Sequence, residues 1–200
     1  MRSLKLAIAV IIPFLLIQLS LRAQEQKETD FKKTCTALLE TLSKKNYSGL
    51  NKLINKTYGM CQLYRTGAMD RYSNYKKIDD STLMYMDSHE ITAKDIKKFI
   101  LQYGKLPVYD CDKNSWSRRG YCTDSVKRFS PVTTIVNFEI KYEQFKITKK
   151  EKSDIRFIEQ NSRKVIFTSS KGDGLIFYLC YISGKWYVSI LDMVTTDCSA

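Results

Sequence analysis

The last third of the chain constrains the fold most. Three runs, RKVIFTSS (163–170), LIFYLCYI (175–182) and KWYVSILDMV (185–194), are rich in Val, Ile, Phe, Tyr and Trp and are separated by KGDG and SGK. Apolar, β-branched and aromatic runs with short glycine-bearing breaks predict a meander of antiparallel strands. Side chains alternate across a strand, so Trp186, Val188 and Ile190 are expected on one face of the last strand and Tyr187 and Ser189 on the other. Both faces are partly apolar, and helices are expected to cover one of them.

The helices announce themselves by spacing and caps. Phe31, Cys35, Leu38, Leu39 and Leu42 fall on one helical face and predict a helix over about 26–45. Residues 47–58, with Leu50, Leu53, Ile54 and Tyr58 on one side and Gly59 beyond, predict a second helix and so a helical hairpin. Thr92 at N-cap, Asp95 three residues on, and Ile91 with Ile96 as a staple predict a helix over 93–103, ended by Gly104 and Pro107. Ser130-Pro131 opens 131–145, where β-branched residues leave helix and strand both open and helix is preferred. Thr148 and Glu151 form a capping box for a polar helix with Ile155 and Ile158 on its apolar edge. Residues 60–78 read as a short strand followed by irregular chain. The fold class is α+β: an N-terminal helical hairpin and further helices packed on an antiparallel sheet ending in a three-stranded meander.

At the other end, Arg2 and Lys5 precede an apolar run from Leu6 to Ile17, with small Ala23 at its exit. The run is shorter than the roughly 20 apolar residues a membrane span needs, and Pro13, Gln18 and Ser20 interrupt the segment, so residues 1–23 read as a secretory signal peptide. Residues 24–200 are then a single domain, placed outside the cell or in the periplasm and envelope, with no stable membrane span after cleavage. The leader carries three basic residues and no acid, so the formal charge of +12 becomes +9.

All six cysteines, Cys35, Cys61, Cys111, Cys122, Cys180 and Cys198, lie beyond the leader, and an exported chain meets an oxidising space in which thiols pair. Six cysteines allow 15 pairings. The short polar segment CDKNSWSRRGYC makes Cys111–Cys122 the pair favoured by the sequence, closing a hairpin whose arms are 108–110 and 120–123. That segment is no zinc site, because ten residues between two cysteines do not match C-x₂₋₄-C spacing. A second reading makes it a basic aromatic finger, in which Trp116, Arg118, Arg119 and Tyr121, with Lys113, grip a phosphate or an acidic glycan. Paired lysines are spread along the chain, however, and such charge is usually a solvated face.

The order helical hairpin first, antiparallel strands last, over 26–58 and 163–194, with the closing strand GKWYVSILD, resembles the cystatin-like or NTF2-like α+β superfamily. The segments VYDCDKNSW and VTTDCSA likewise resemble uncharacterised secreted bacterial proteins. The resemblance implies a sheet that encloses a pocket, but no catalytic residue carries over from it.

A catalytic reading finds little. The single histidine, His89, stands ahead of a helix cap with no second histidine nearby, and no nucleophile elbow, phosphate loop or C-x-x-C pair is present. Asp70, Asp79, Asp80, Asp110, Asp112 and Asp173 lack the spacing of a calcium loop and suit turns. No cofactor or metal is implied. The sequence therefore points to a disulfide-stabilised binding domain without catalysis, against two alternatives: a small NTF2-like envelope enzyme with a pocket in the sheet concavity, and a binder of polyanions or anionic surfaces.

Overall fold

The computed structural model describes residues 2–79, 91–124, 128–143 and 145–199, with backbone alone for 2–17. His89 and Asp80 lie outside the described residues. The chain is α+β. Its elements are α1 (Arg2–Ser43), α2 (Tyr47–Lys52), β1 (Met60–Thr66), β2 (Met69–Tyr75), α3 (Ala93–Lys98), β3 (Leu101–Tyr103), β4 (Tyr109–Asp110), β5 (Ser115–Trp116), β6 (Gly120–Asp124), α4 (Pro131–Tyr142), α5 (Lys149–Asn161), β7 (Ser162–Thr168), β8 (Gly174–Ile182) and β9 (Lys185–Asp192).

Seven strands form one sheet in the order β2-β1-β9-β8-β7-β6-β3. The β6–β7–β8–β9 run and the β1–β2 hairpin are antiparallel, whereas β1 joins β9, and β3 joins β6, in parallel. The expected meander is therefore the centre of the sheet. In the β8–β9 turn both Ser183 and Gly184 have positive φ, matching the right-handed twist of the strands it joins.

Both faces of this sheet are covered, not one. Phe177, Leu179, Val165, Phe167, Trp186 and Val188 meet Phe31, Cys35, Leu38 and Leu39 of α1 in the first core. Ile176, Tyr178, Ile166 and Ile190 meet Val132, Ile135 and Val136 of α4 and Ile155 and Ile158 of α5 in the second. Each large apolar side chain so buried contributes about 1.5–3 kcal/mol, which is what holds three layers together. Ile190 belongs to the second core because the pairing steps from Leu179↔Val188 to Tyr178↔Ile190, leaving Ser189 as an extra residue. That bulge reverses the alternation predicted for the strand. The Ser189 hydroxyl is satisfied inside the sheet, 3.0 Å from Tyr178 O and 2.9 Å from Ser162 Oγ.

Three local expectations give way to tertiary pairing. The second helix stops at Lys52 because Val188 N donates to Leu53 O (2.8 Å), drawing the chain onto the sheet, while Asn55 Oδ1 takes the Thr57 and Tyr58 amides. Helix α3 keeps its Thr92 cap but ends at Lys98, since Leu101–Tyr103 pair with β6. Residues 69–75 form a full edge strand, β2, where irregular chain was expected. By contrast α4 is helical as preferred, and the Thr148–Glu151 capping box of α5 is closed from both sides.

The start of the globular part of α1 is fixed by charge. Glu28 accepts two hydrogen bonds from the Arg163 guanidinium (2.8 and 2.6 Å) and one from the Tyr103 hydroxyl (3.0 Å), and Trp186 Nε1 donates to Lys27 O (2.9 Å). The Arg163 guanidinium holds the Glu28 carboxyl below its ordinary 4.5. A depressed folded pKa contributes stability that is fully present above 4.5 and lost as pH falls through the folded value. Urea denaturation should therefore show Glu28→Gln less stable than wild type by about 1–2 kcal/mol at neutral pH, with the gap closing in acid. A gap that stays constant below pH 4.5 would contradict this role.

Candidate functional site

Strand β4 pairs with β5, not with residues 120–123: Tyr109 faces Trp116 and Asp110 faces Ser115 in a small separate hairpin. The second arm expected for it is β6, which lies in the main sheet between β3 and β7. Its tip is built locally, with Asn114 in the left-handed region and Asp110 accepting from Lys113 N (3.2 Å).

Cys111 at this tip is bonded to Cys198, across 87 residues, and not to Cys122. In a chain-entropy treatment a closed loop of that size stabilises by about 4–5 kcal/mol, more than the short loop first favoured would. Cys35, Cys61, Cys122 and Cys180 are buried free thiols. Burial pushes Cys35 and Cys61 up to about 12 and Cys180 to about 11, and raises Cys122 as well, so none is a ready nucleophile at neutral pH. The expectation of wholly paired cysteines fails: Cys35 lies on α1, Cys61 on β1, Cys122 on β6 and Cys180 on β8, and all four are free.

The disulfide brings the C-terminal tail against the hairpin. The tail turns sharply after β9, where Asp192 accepts from the backbone amides of Val194 and Thr195 (3.1 and 3.0 Å) and from the Thr195 hydroxyl (2.7 Å). It is held again by Arg65, whose guanidinium donates to Asp197 O while pairing with Asp70 (2.7 Å).

Between the hairpin, the tail and the β6–β7 end of the sheet lies a cleft of about 290 Å³. Tyr109 and Trp116 form one wall, Phe129 another, Ile166 and Lys164 part of the lining, and Lys105, Asp124 and Thr195 complete it with Leu106, Pro107 and Val108. A second, more polar recess of similar size shares Tyr109 and Trp116 and runs past Asn114, Lys171, Asp173 and Thr196.

Lys164 is the unusual member. It occupies a core-facing register position of β7, its ammonium 3.7 Å from Asp192, and only 9% of the residue is exposed. The ammonium also stands 5.2 and 5.4 Å from the ring centres of Phe129 and Tyr178. Burial lowers its pKa and the Asp192 charge opposes that shift. The pair is a fixed ion pair among aromatic faces.

The finger residues are scattered. Trp116 is half-buried in the cleft wall, edge-on to Tyr109 at 5.2 Å. Tyr121 points the other way, into the α1-side core against Phe167, and is 5% exposed. Arg118 donates to the Lys105 carbonyl at the hairpin base, Arg119 is exposed, and Lys113 pairs with Asp110. The aspartates form no carboxylate site: Asp70 pairs with Arg65, Asp110 serves the hairpin tip on which exposed Asp112 also lies, Asp173 sits in the β7–β8 turn, and Asp79 follows β2. Among the described residues no group of His, Cys, Asp or Glu is arranged to hold a metal. Sequence reasoning missed Lys164, Phe129, Tyr109 and Asp192. None left a local signal: Lys164 stands beside Arg163 at the polar start of its strand.

Trp116 is seated by a glycine. A Cβ built on Gly174 would come within 2.3 Å of Trp116 Nε1 and 2.6 Å of its Cζ2. Gly174→Ala should therefore cost about 1–3 kcal/mol in chemical denaturation, the usual penalty of overpacking. In a Trp116→Ala background the same change should cost under about 0.5 kcal/mol, because the clash is gone. Equal costs in both backgrounds would show that the indole does not rest there.

No protein-family model, curated protein or solved structure matches this chain.

Proposed function

We propose that the chain is an exported, disulfide-stabilised binding domain that takes a small ligand in the aromatic cleft and does no chemistry on it. The observation that carries this reading is the composition of the cleft: Tyr109, Trp116 and Phe129 around an ion-paired lysine, walled by two segments joined through Cys111–Cys198. Apolar and aromatic walls with one or two placed charges are the usual make-up of small-molecule sites. The Lys164 ammonium, with the Asp192 carboxylate 3.7 Å away to favour its charged form, is the positive pole of the cleft in this reading. The ligand that suits it has a planar apolar body and an anionic group.

Export is supported by the leader over residues 1–23 and by the disulfide, which persists in oxidising compartments. Among the described residues no helix is long and apolar enough to cross a membrane. The NTF2-like reading keeps one support, a long N-terminal helix lying on an antiparallel meander, beside mixed pairing at both ends of the sheet.

Anilinonaphthalenesulfonate, an aromatic sulfonate dye, is a direct probe. Its fluorescence should rise saturably on the native protein, and Phe129→Ala or Trp116→Ala should weaken the affinity about tenfold with the fold intact by circular dichroism, a loss of about 1.4 kcal/mol per variant. Unchanged dye affinity in both variants would remove the cleft as the ligand site.

A further inference from the structure

Away from the cleft, large aromatic side chains are exposed at the end of α4 and just after it, Phe138 (44%), Tyr142 (62%) and Phe145 (42%), with Ile140 (38%) on the other flank of the helix. Single exposed apolar residues are ordinary, but a clustered group on one element marks a surface that meets something. Phe138 and Tyr142 are one helical turn apart with ring centres 4.7 Å from each other, and Phe145 stands edge-on to Tyr72 at 6.4 Å. The buried stripe of α4, Val132, Ile135, Val136 and Glu139, faces the sheet, so the aromatic pair is not needed for that packing.

The chain from here into α5 is basic. Lys141, Lys146, Lys149, Lys150 and Lys152 are all exposed, and the Lys141 ammonium lies 4.7 Å from the Tyr142 ring centre. The neighbouring acids are engaged within the fold. Glu139 and Glu143 both receive the Arg71 guanidinium, Glu151 receives the Thr148 backbone amide (2.8 Å), and Asp154 receives Lys150. Arg71 and the five lysines against these four acids leave a local excess of two positive charges, on a chain whose formal charge without the leader is +9.

We infer that this end of α4 and the loop after it form a docking surface for an anionic lipid bilayer. Phenylalanine and tyrosine rings suit the headgroup boundary, and lysine stems reach from there to lipid phosphates. The partner is set by charge complementarity: lysines beside exposed aromatic rings suit an anionic, partly apolar boundary. The inference is independent of the cleft, with which it shares no residue.

Vesicle co-sedimentation of residues 24–200, without the apolar leader, tests it, using phosphatidylcholine vesicles with and without phosphatidylglycerol. Wild type should bind the mixed vesicles and not the neutral ones, with binding falling as salt rises. Phe138→Ala with Tyr142→Ala should lower the bound fraction about tenfold while circular dichroism and dye binding at the cleft stay unchanged, and Lys146→Gln with Lys149→Gln should lower it at low salt. Equal binding to both vesicle types, or a double aromatic variant that binds like wild type, overturns the proposal. So does a wild-type dimer that ignores vesicles and is dissolved by the aromatic substitutions, since the patch would then be a protein interface.

Discussion

Everything in this fold follows from strands that are apolar on both sides. In β8, Leu175, Phe177 and Leu179 point to one face and Ile176 and Tyr178 to the other, all at most 2% exposed. A strand of that kind cannot sit at a solvated face, so the chain must supply a helical layer on each side. α1 supplies the first, by the stripe from Phe31 to Leu39, and α4 with α5 supplies the second. The bulge at Ser189 shares the side chains of β9 between the two cores: Trp186 and Val188 go to α1, Ile190 to α4 and α5.

The cleft lies where that second layer ends. At the β6–β7 end of the sheet the β4–β5 hairpin and the C-terminal tail wall the cleft. Neither segment has a core of its own. The hairpin leans on Gly174 through Trp116, the tail is folded back by Asp192 and Arg65, and a covalent bond joins the two. Lys164 tolerates its burial because Asp192, the residue that turns the tail, also provides its counter-charge. Tail conformation and cleft electrostatics are thus coupled through one carboxylate.

The legible parts of this structure are those decided over short range. The α1 stripe, the Thr92 cap, the Thr148–Glu151 box and the three C-terminal strands each carry their signal within a dozen residues. What was not legible depends on partners far along the chain. Leu53 leaves its helix for Val188, and Leu101–Tyr103 leave theirs for β6. β2 was hidden because an edge strand is half-exposed and its sequence, MDRYSNY, is mostly polar. The site residues come from hairpin, pre-helix loop, β7 and tail, so no local pattern could assemble them. Cysteine pairing failed for the same reason: proximity in sequence favoured Cys122, which the alternation of β6 carries into the sheet, while the true partner of Cys111 arrives from the C-terminus.

Non-reducing peptide mapping tests the central claim most directly, that a covalent tie between hairpin and tail builds the cleft. Trypsin separates the relevant cysteines, because LPVYDCDK, GYCTDSVK and the C-terminal WYVSILDMVTTDCSA are distinct peptides. This account expects the first linked to the third, with Cys35, Cys61, Cys122 and Cys180 alkylated once the protein is denatured without reductant. Recovery of the Cys111 peptide joined to the Cys122 peptide would contradict it, and the tail would lose its place in the cleft wall.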